Sequence, residues 1–344
     1  MLPEKKVDSG KILDYFCYAF SHLKRDMSKG GAPHKPILLL SVLHEFAAGR
    51  IVGNQIFITP ELTRTFSNYW NALVTTIHEK RFALPFYHLS NEKGNWWRLQ
   101  PVPGCEGWLQ NAGSMKTFAN LSAAVACAEI DVNLAGLLAE PGNWQALRQT
   151  LLNTYFPGQQ VPAVDDDIAG YVQGLESEVV NESPAKYQAV MKALAAQNAG
   201  KAKSKMDPEN YEVEVYNRDA VFRREVVRLY NETCCVSRLR VVATFSVTMV
   251  DACHIKPFAV SHDNTLPNGI ALCPNLHRAF DRGLMSVNEN YGIMLSPDFT
   301  ENISSAFRLS LMQGVTIDLP ANPLHHPSLE ALAWHRKNVF RGNR

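Results

Sequence analysis

The chain has 344 residues, a hydrophobic share of 46%, a charged share of 19% and a formal net charge of +1. That length suits two domains, each with its own core, and the composition excludes a disordered chain. The small net charge neither supports nor excludes a nucleic-acid partner, because affinity for phosphate depends on a local basic face.

The opening MLPEKKVDSGK lacks the apolar core of a signal peptide, and no apolar run approaches the roughly 18 residues that cross a bilayer. A cytoplasmic protein without membrane contact is expected. Seven scattered cysteines argue for thiols or metal ligands over a secreted disulfide framework. Residues 12–26 place apolar side chains at helical spacing, which predicts a first amphipathic helix with a basic end. Pro33, His34, Lys35 and Pro36 then lead into ILLLSVLHEFAAGRI, a core helix with Pro36 in its first turn. Free N–H groups at that start, beside His34 and Lys35, suit an anion such as phosphate. The plainer alternative is a capped core helix with two solvated polar residues.

NQIFIT reads as a short strand, and Pro60 opens another helix. In the stretch that follows, FYHL and WWRL are strand-like and NEKGN supplies turn chemistry, which predicts a β-hairpin. Its Pro85, Phe86, Tyr87, His88, Trp96 and Trp97 are either core packing or an apolar stacking surface with polar edges. Residues 115–155 read as mostly helical. From Pro157 the chain turns acidic and turn-rich, with helices expected over 168–195. A basic linker carrying Lys201, Lys203 and Lys205 follows. RDAVFRREVVRLYNETCCVS is an amphipathic helix with Arg218, Arg223, Arg224 and Arg228 on its polar side. Beyond it, FSVTMVDACHI alternates as a strand, and HRAFDRGLMSV reads as helix, turn and closing strand.

His254, Asn268 and His277 stand out as polar residues on a strand, a turn and a helix, a pattern that suggests one metal site. Hydrolysis of a phosphodiester needs a group that takes a proton from water and a cation that offsets charge on the leaving oxygen. His254 suits the base, His277 a metal ligand, and Asn268 a residue that holds the loop.

These residues lie in CHIKP at 253–257, NGIALC at 268–273 and LHRAFDRGL at 276–284. The three segments in this order resemble the HNH endonucleases, which have a ββα-metal fold, and the resemblance covers roughly 211–300. It implies that His254 is the general base, that Asn268 orders the loop, and that His277 binds Mg²⁺, Mn²⁺ or another divalent ion. Asp281 is read as a hydrogen-bonding residue within the motif. Many relatives carry an aspartate directly before the first histidine, where this chain has Cys253, a better partner for softer ions than for Mg²⁺. Asp251 is the other candidate ligand, provided the strand bends, since residues 251 and 254 otherwise point to opposite faces. Relatives also often hold a structural zinc with two C-x-x-C pairs. The matching stretches, Cys235 to Arg238 and Cys273 to Leu276, each lack the second cysteine, so no structural zinc is expected.

The N-terminal half has its own likeness. APHKPILLL at 32–40 and LPFYHLSNEKGNWWRL at 84–99 resemble the sulfur-binding domain of phosphorothioation-dependent, type IV restriction enzymes. That resemblance implies a pocket lined by Pro85, Phe86, Tyr87 and His88, with His34 and Lys35 on the phosphate. Leu84 stands where relatives often have tyrosine, and Lys35 where arginine is frequent. The expected architecture is α+β: a mixed helical and β-hairpin DNA-reading domain over 1–158, a helical and basic linker over 159–210, and a ββα-metal nuclease domain over 211–344. The expected partner is double-stranded, phosphorothioated DNA, with a homodimer as one route to double-strand cuts. The competing readings are an HNH effector triggered by another DNA modification, a nucleotide signal or a partner protein, and an inactive HNH-fold module that binds DNA.

Overall fold

The apolar run from Ile37 to Leu43 becomes the centre of the N-terminal half in the computed structural model, which describes residues 9–110, 113–159, 165–201, 209–241 and 248–342. Two compact units result, Met1–Val172 with Gln197–Val215, and Gln173–Ala196 with Tyr216–Arg344. Helices and small antiparallel sheets occur in both, an α+β architecture.

In the first unit, α1 (Ser9–Ser21) buries Phe16 and Phe20, and α2 (His34–Ala47) is buried along nearly its whole length. The short β1 (Gln55–Ile56) precedes α3 (Pro60–Leu73), whose start is capped by Thr59 Oγ1 accepting from Leu62 N at 3.1 Å. The expected hairpin is not formed. Its first arm is α4 (Ala83–His88), followed by a 3₁₀ turn, and only its second arm is a strand, β2 (Trp97–Pro101). Residues 82, 83, 85, 86 and 87 are all buried, a pattern that the one-sided alternation of a hairpin arm does not give. Pro85 sits where a missing N–H costs little, and the Glu209 carboxylate accepts from Phe82 N and Ala83 N at the helix start.

β2 finds its partner elsewhere. After α5 (Glu106–Leu109) and α6 (Phe118–Ala124), residues expected to be helical form β3 (Val125–Ile130). β3 is the central strand of an antiparallel sheet in the order β1, β3, β2, with Trp97 opposite Ile130 and Gln55 opposite Glu129. Helices α7 (Val132–Leu138) and α8 (Pro141–Tyr155) complete this core, α8 lying against α1 and α2. Next come α9 (Asp165–Asn181) and α10 (Pro184–Lys201), which run further than the helices expected at 168–195. Lys203, Lys205 and the side chain of Lys201 lie outside the described residues, as do residues 245–247 of the expected strand.

The second unit is built on α11 (Asn210–Leu229), of which Val221, Phe222 and Val226 are fully buried. Arg218, expected on its polar side, is instead buried and ion-paired with Glu178 at 2.8 Å. Arg224 pairs with Glu176 at 2.7 Å and Arg223 with Asp219 at 2.8 Å. β4 (Asp251–His254) and β5 (Gly269–Leu272) meet this helix at His254 and Gly269, with the single turn α12 (Phe258–Ser261) between them in sequence and α13 (Pro274–Asp281) after them. β4 and β5 pair antiparallel with His254 opposite Gly269, so strand, strand and helix follow as the ββα reading requires. β6 (Met285–Val287) and β7 (Ile293–Leu295) form a second ribbon, and α14 (Leu329–Asn338) packs on β6. Gly283 ends α13 at φ +73°, and a Cβ there would meet Val339 O at 2.1 Å. Only glycine fits that combination of left-handed backbone and close approach.

Candidate active site and a second cleft

Strand alternation distributes the chemistry of β4. Asp251 and Cys253, two residues apart, both face α13, where His277 and Asp281 are one turn apart. His277 Nδ1 lies 3.3 Å from Asp251 Oδ2, and its Nε2 lies 3.5 Å from Asp281 Oδ2. The Cys253 thiol is 3.9 Å from Asp281 Oδ1. Atoms of Cys253, His277 and Asp281 all come within 4.8 Å of one another. Asp251 thus reaches the cluster without a bend, because it shares a face with Cys253.

His254 stands at the end of β4. Its ring stacks on Phe222 of α11, centroids 4.1 Å apart and planes 14° from parallel, and its Nε2 lies 2.8 Å from Asn264 Oδ1. Burial holds this imidazole below the usual histidine range, outweighing the opposite pull of the Asn264 contact, so it is neutral at neutral pH. Asp251, His254, His277 and Asp281 line one cleft of about 730 Å³, with Arg223 and Phe258 on its wall.

Asn268 is buried beneath that cleft. Its Oδ1 accepts from Lys256 N at 2.9 Å, and its Nδ2 donates to Lys256 O and Asp263 O, each at 2.9 Å. Three of its four hydrogen-bonding positions are spent on closing the loop that follows His254. The side chain touches backbone alone and takes no part in the donor cluster. Nearby, Ser237 N donates to Cys234 Sγ at 3.4 Å and Ser237 Oγ to Cys273 Sγ at 3.8 Å. Counted from Cys234, serine occupies the position of the second cysteine in a C-x-x-C pair.

A thiol, an imidazole and a carboxylate at one point fit a divalent cation of borderline softness better than Mg²⁺ alone. Cys253, His277 and Asp281 would hold it, with Asp251 against the imidazole. When bound, such a cation supplies charge stabilisation for a departing oxygen. Beside it, a neutral imidazole can take a proton from water. Asp281 carries more of the site than the sequence suggested. The signal was present in its spacing, four residues after His277 on one helix face. Asn264, between the first two segments, and Phe222, on α11 ahead of them, gave none.

The first unit has a cleft of about 580 Å³. His34, Lys35, Pro85 and His88 line it, whereas Phe86 is fully buried against Phe82 and Trp97, and Tyr87 is buried with its hydroxyl donating to Leu109 O at 2.7 Å. His34 is the first residue of α2, and its Nε2 lies 2.9 Å from Glu79 O. Burial lowers it to about 4, so it is neutral. Lys35 is buried and ion-paired with Glu92, which also accepts from Lys24 N at 3.1 Å. Neither is the solvated residue of the plain alternative. Lys24, Arg25, Lys29 and Arg81 also line the cleft, joined by Leu84 and by the carboxylates Asp26 and Glu79. Lys24 and Arg25 were the basic end of the first predicted helix, whereas Lys29 and Arg81 lie beyond it.

Residues 234–288 match the HNH endonuclease family, so the second unit carries an HNH endonuclease domain. A solved structure of the modification-dependent TagI restriction endonuclease is similar at 20% identity over 35% of this chain and 38% of that one, with a TM-score of 0.27. A likeness that slight, over well under half of each chain, carries no argument. No curated protein matches the chain. No helix among the described residues is long and apolar enough to cross a membrane.

Proposed function

We propose that the chain is a modification-dependent DNA endonuclease of the type IV restriction kind. Its N-terminal unit binds phosphorothioated double-stranded DNA, and its HNH domain hydrolyses a phosphodiester nearby with a divalent cation. The observation that supports this most is the pairing in one chain of two clefts of different chemistry. One sets His254 beside the donors Cys253, His277 and Asp281 within an HNH match. The other sets the apolar Leu84 and Pro85 among the cations Lys24, Arg25 and Lys29.

Sulfur in place of a non-bridging oxygen is larger, more polarisable and less strongly hydrated. An apolar wall beside a cationic rim therefore favours it over oxygen, where a purely cationic cleft would not. His254 is the base, and the cation is Mg²⁺, Mn²⁺ or a softer ion, with the Cys253 thiol favouring the softer ion. Cutting both strands requires a homodimer or two successive nicks. Such an enzyme works in the cytoplasm, where it meets foreign DNA as a defence.

A gel shift with the His254→Ala protein tests the reader without cleavage. Preference for a phosphorothioated duplex over the unmodified duplex of the same sequence is expected. Asp26 and Glu79, which repel phosphate, favour a second reading in which this cleft senses another modification or a nucleotide signal. Equal shifting of the two duplexes would select it.

A further inference from the structure

The imidazole of His254 is held in two independent directions. Phe222 covers one ring face at 4.1 Å, and in the ring plane Nε2 meets Asn264 Oδ1 at 2.8 Å. An amide oxygen only accepts, so the nitrogen facing it carries the proton. In a neutral ring the lone pair is then on Nδ1. Turning the ring over would break the contact and put a carbon where Nδ1 had been.

Asn264 sits in a fixed loop. It is fully buried, and its neighbours on both sides are tied down: Thr265 N donates to Asp263 Oδ1 at 2.8 Å, and Asp263 N donates to Ser261 Oγ at 3.2 Å. Asn268 closes the same loop by donating to Asp263 O at 2.9 Å, and its own N–H donates to Thr265 O at 3.0 Å. A connected path therefore runs from the motif asparagine through the loop to the ring that needs orienting.

We propose that Asn264 is the positioning residue of the nuclease site, fixing His254 in the Nε2–H form so that Nδ1 is the base. This rests on the nuclease reading above. Asn268 then acts through Asn264, and the loop between β4 and β5 exists to set one tautomer. Nothing in the HNH segments points to residue 264, which lies between the first two of them.

The test combines kinetics with nitrogen-15 NMR of the full chain, recorded above the ordinary imidazole range. Wild-type His254 should show a protonated Nε2 and an unprotonated Nδ1. Asn264→Ala should lower kcat on DNA by about 100-fold or more, the scale of losing a positioned base, with KM little changed. Asn264→Asp keeps an acceptor oxygen and should recover most of that loss. A protonated Nδ1 in the wild type overturns the proposal even if Asn264→Ala fails to fold. So does a folded Asn264→Ala protein with kcat within about twofold of wild type, a difference well under the RT scale of one decade. A wild type that cuts no DNA would sink the nuclease reading itself, an outcome distinct from either of these.

Discussion

Gly269, in the middle submotif, follows Asn268 at φ −127° and ψ 143°, extended backbone open to any residue. Its reason is therefore space. A Cβ at 269 would lie 2.6 Å from Val226 Cγ2 and 2.9 Å from Phe222 Cε2 and Cζ, with both neighbours fully buried on α11. Carbon atoms rest near 3.5 Å or beyond, so α11 side chains would have to move by roughly 0.6 to 0.9 Å. Two effects oppose each other in Gly269→Ala. Loss of unfolded-state freedom favours alanine by about 0.4 to 1 kcal/mol, and overpacking costs about 1 to 3 kcal/mol. Overpacking wins, leaving a net loss of about 1 to 2 kcal/mol and a melting point lower by roughly 2 to 8 °C for a unit of this size. Because Phe222 also stacks on His254, cleavage should fall with stability. Thermal unfolding of Gly269→Ala, Val226→Ala and the double variant measures this. The double variant should be less damaged than the sum of the singles, by about 1 kcal/mol. A Gly269→Ala protein as stable as wild type would refute the reasoning.

Burial raises the Glu209 carboxyl from 4.5 to about 7. The folded chain thus keeps a proton that the unfolded chain releases, and Glu209's own contribution to the stability of the first unit falls as pH rises from about 4.5 to about 7. Glu209→Gln should gain on wild type by roughly 3 kcal/mol across that window, and a difference that is flat with pH would contradict the assignment. His34, lowered to about 4, works with the opposite sign in both proteins and cancels in the comparison. Lys35→Met strands the buried Glu92 carboxylate and should cost about 3 kcal/mol in denaturant unfolding; adding Glu92→Gln should recover most of it. Cys253→Ser should remove the thiolate charge-transfer absorption of a Co²⁺-loaded protein and weaken Co²⁺ binding in calorimetry by about tenfold or more. Unchanged spectra would remove Cys253 from the ligand set.

The nuclease half was legible because its chemistry is written in short range. CHIKP begins at the end of β4, NGIALC carries β5 and LHRAFDRGL lies mostly on α13, in that order. The N-terminal half was less so. LPFYHL has the aromatic content of a strand, yet it folds as α4 because Glu209, over a hundred residues later, takes up the N–H groups at its start. β3 was hidden by its composition, since VACAEI is half alanine and cysteine and reads as helix until a strand on each side claims it. Asn264 and Phe222 were invisible for a similar reason. Each matters through one contact with His254 that only the folded chain brings about.

Digestion of two preparations of one plasmid by the purified full chain with Mn²⁺ tests the central claim most directly, one preparation phosphorothioated and the other not. Cutting of the modified plasmid alone, abolished by His254→Ala, is the result expected. Equal cutting of both, or cutting that survives His254→Ala, would contradict it.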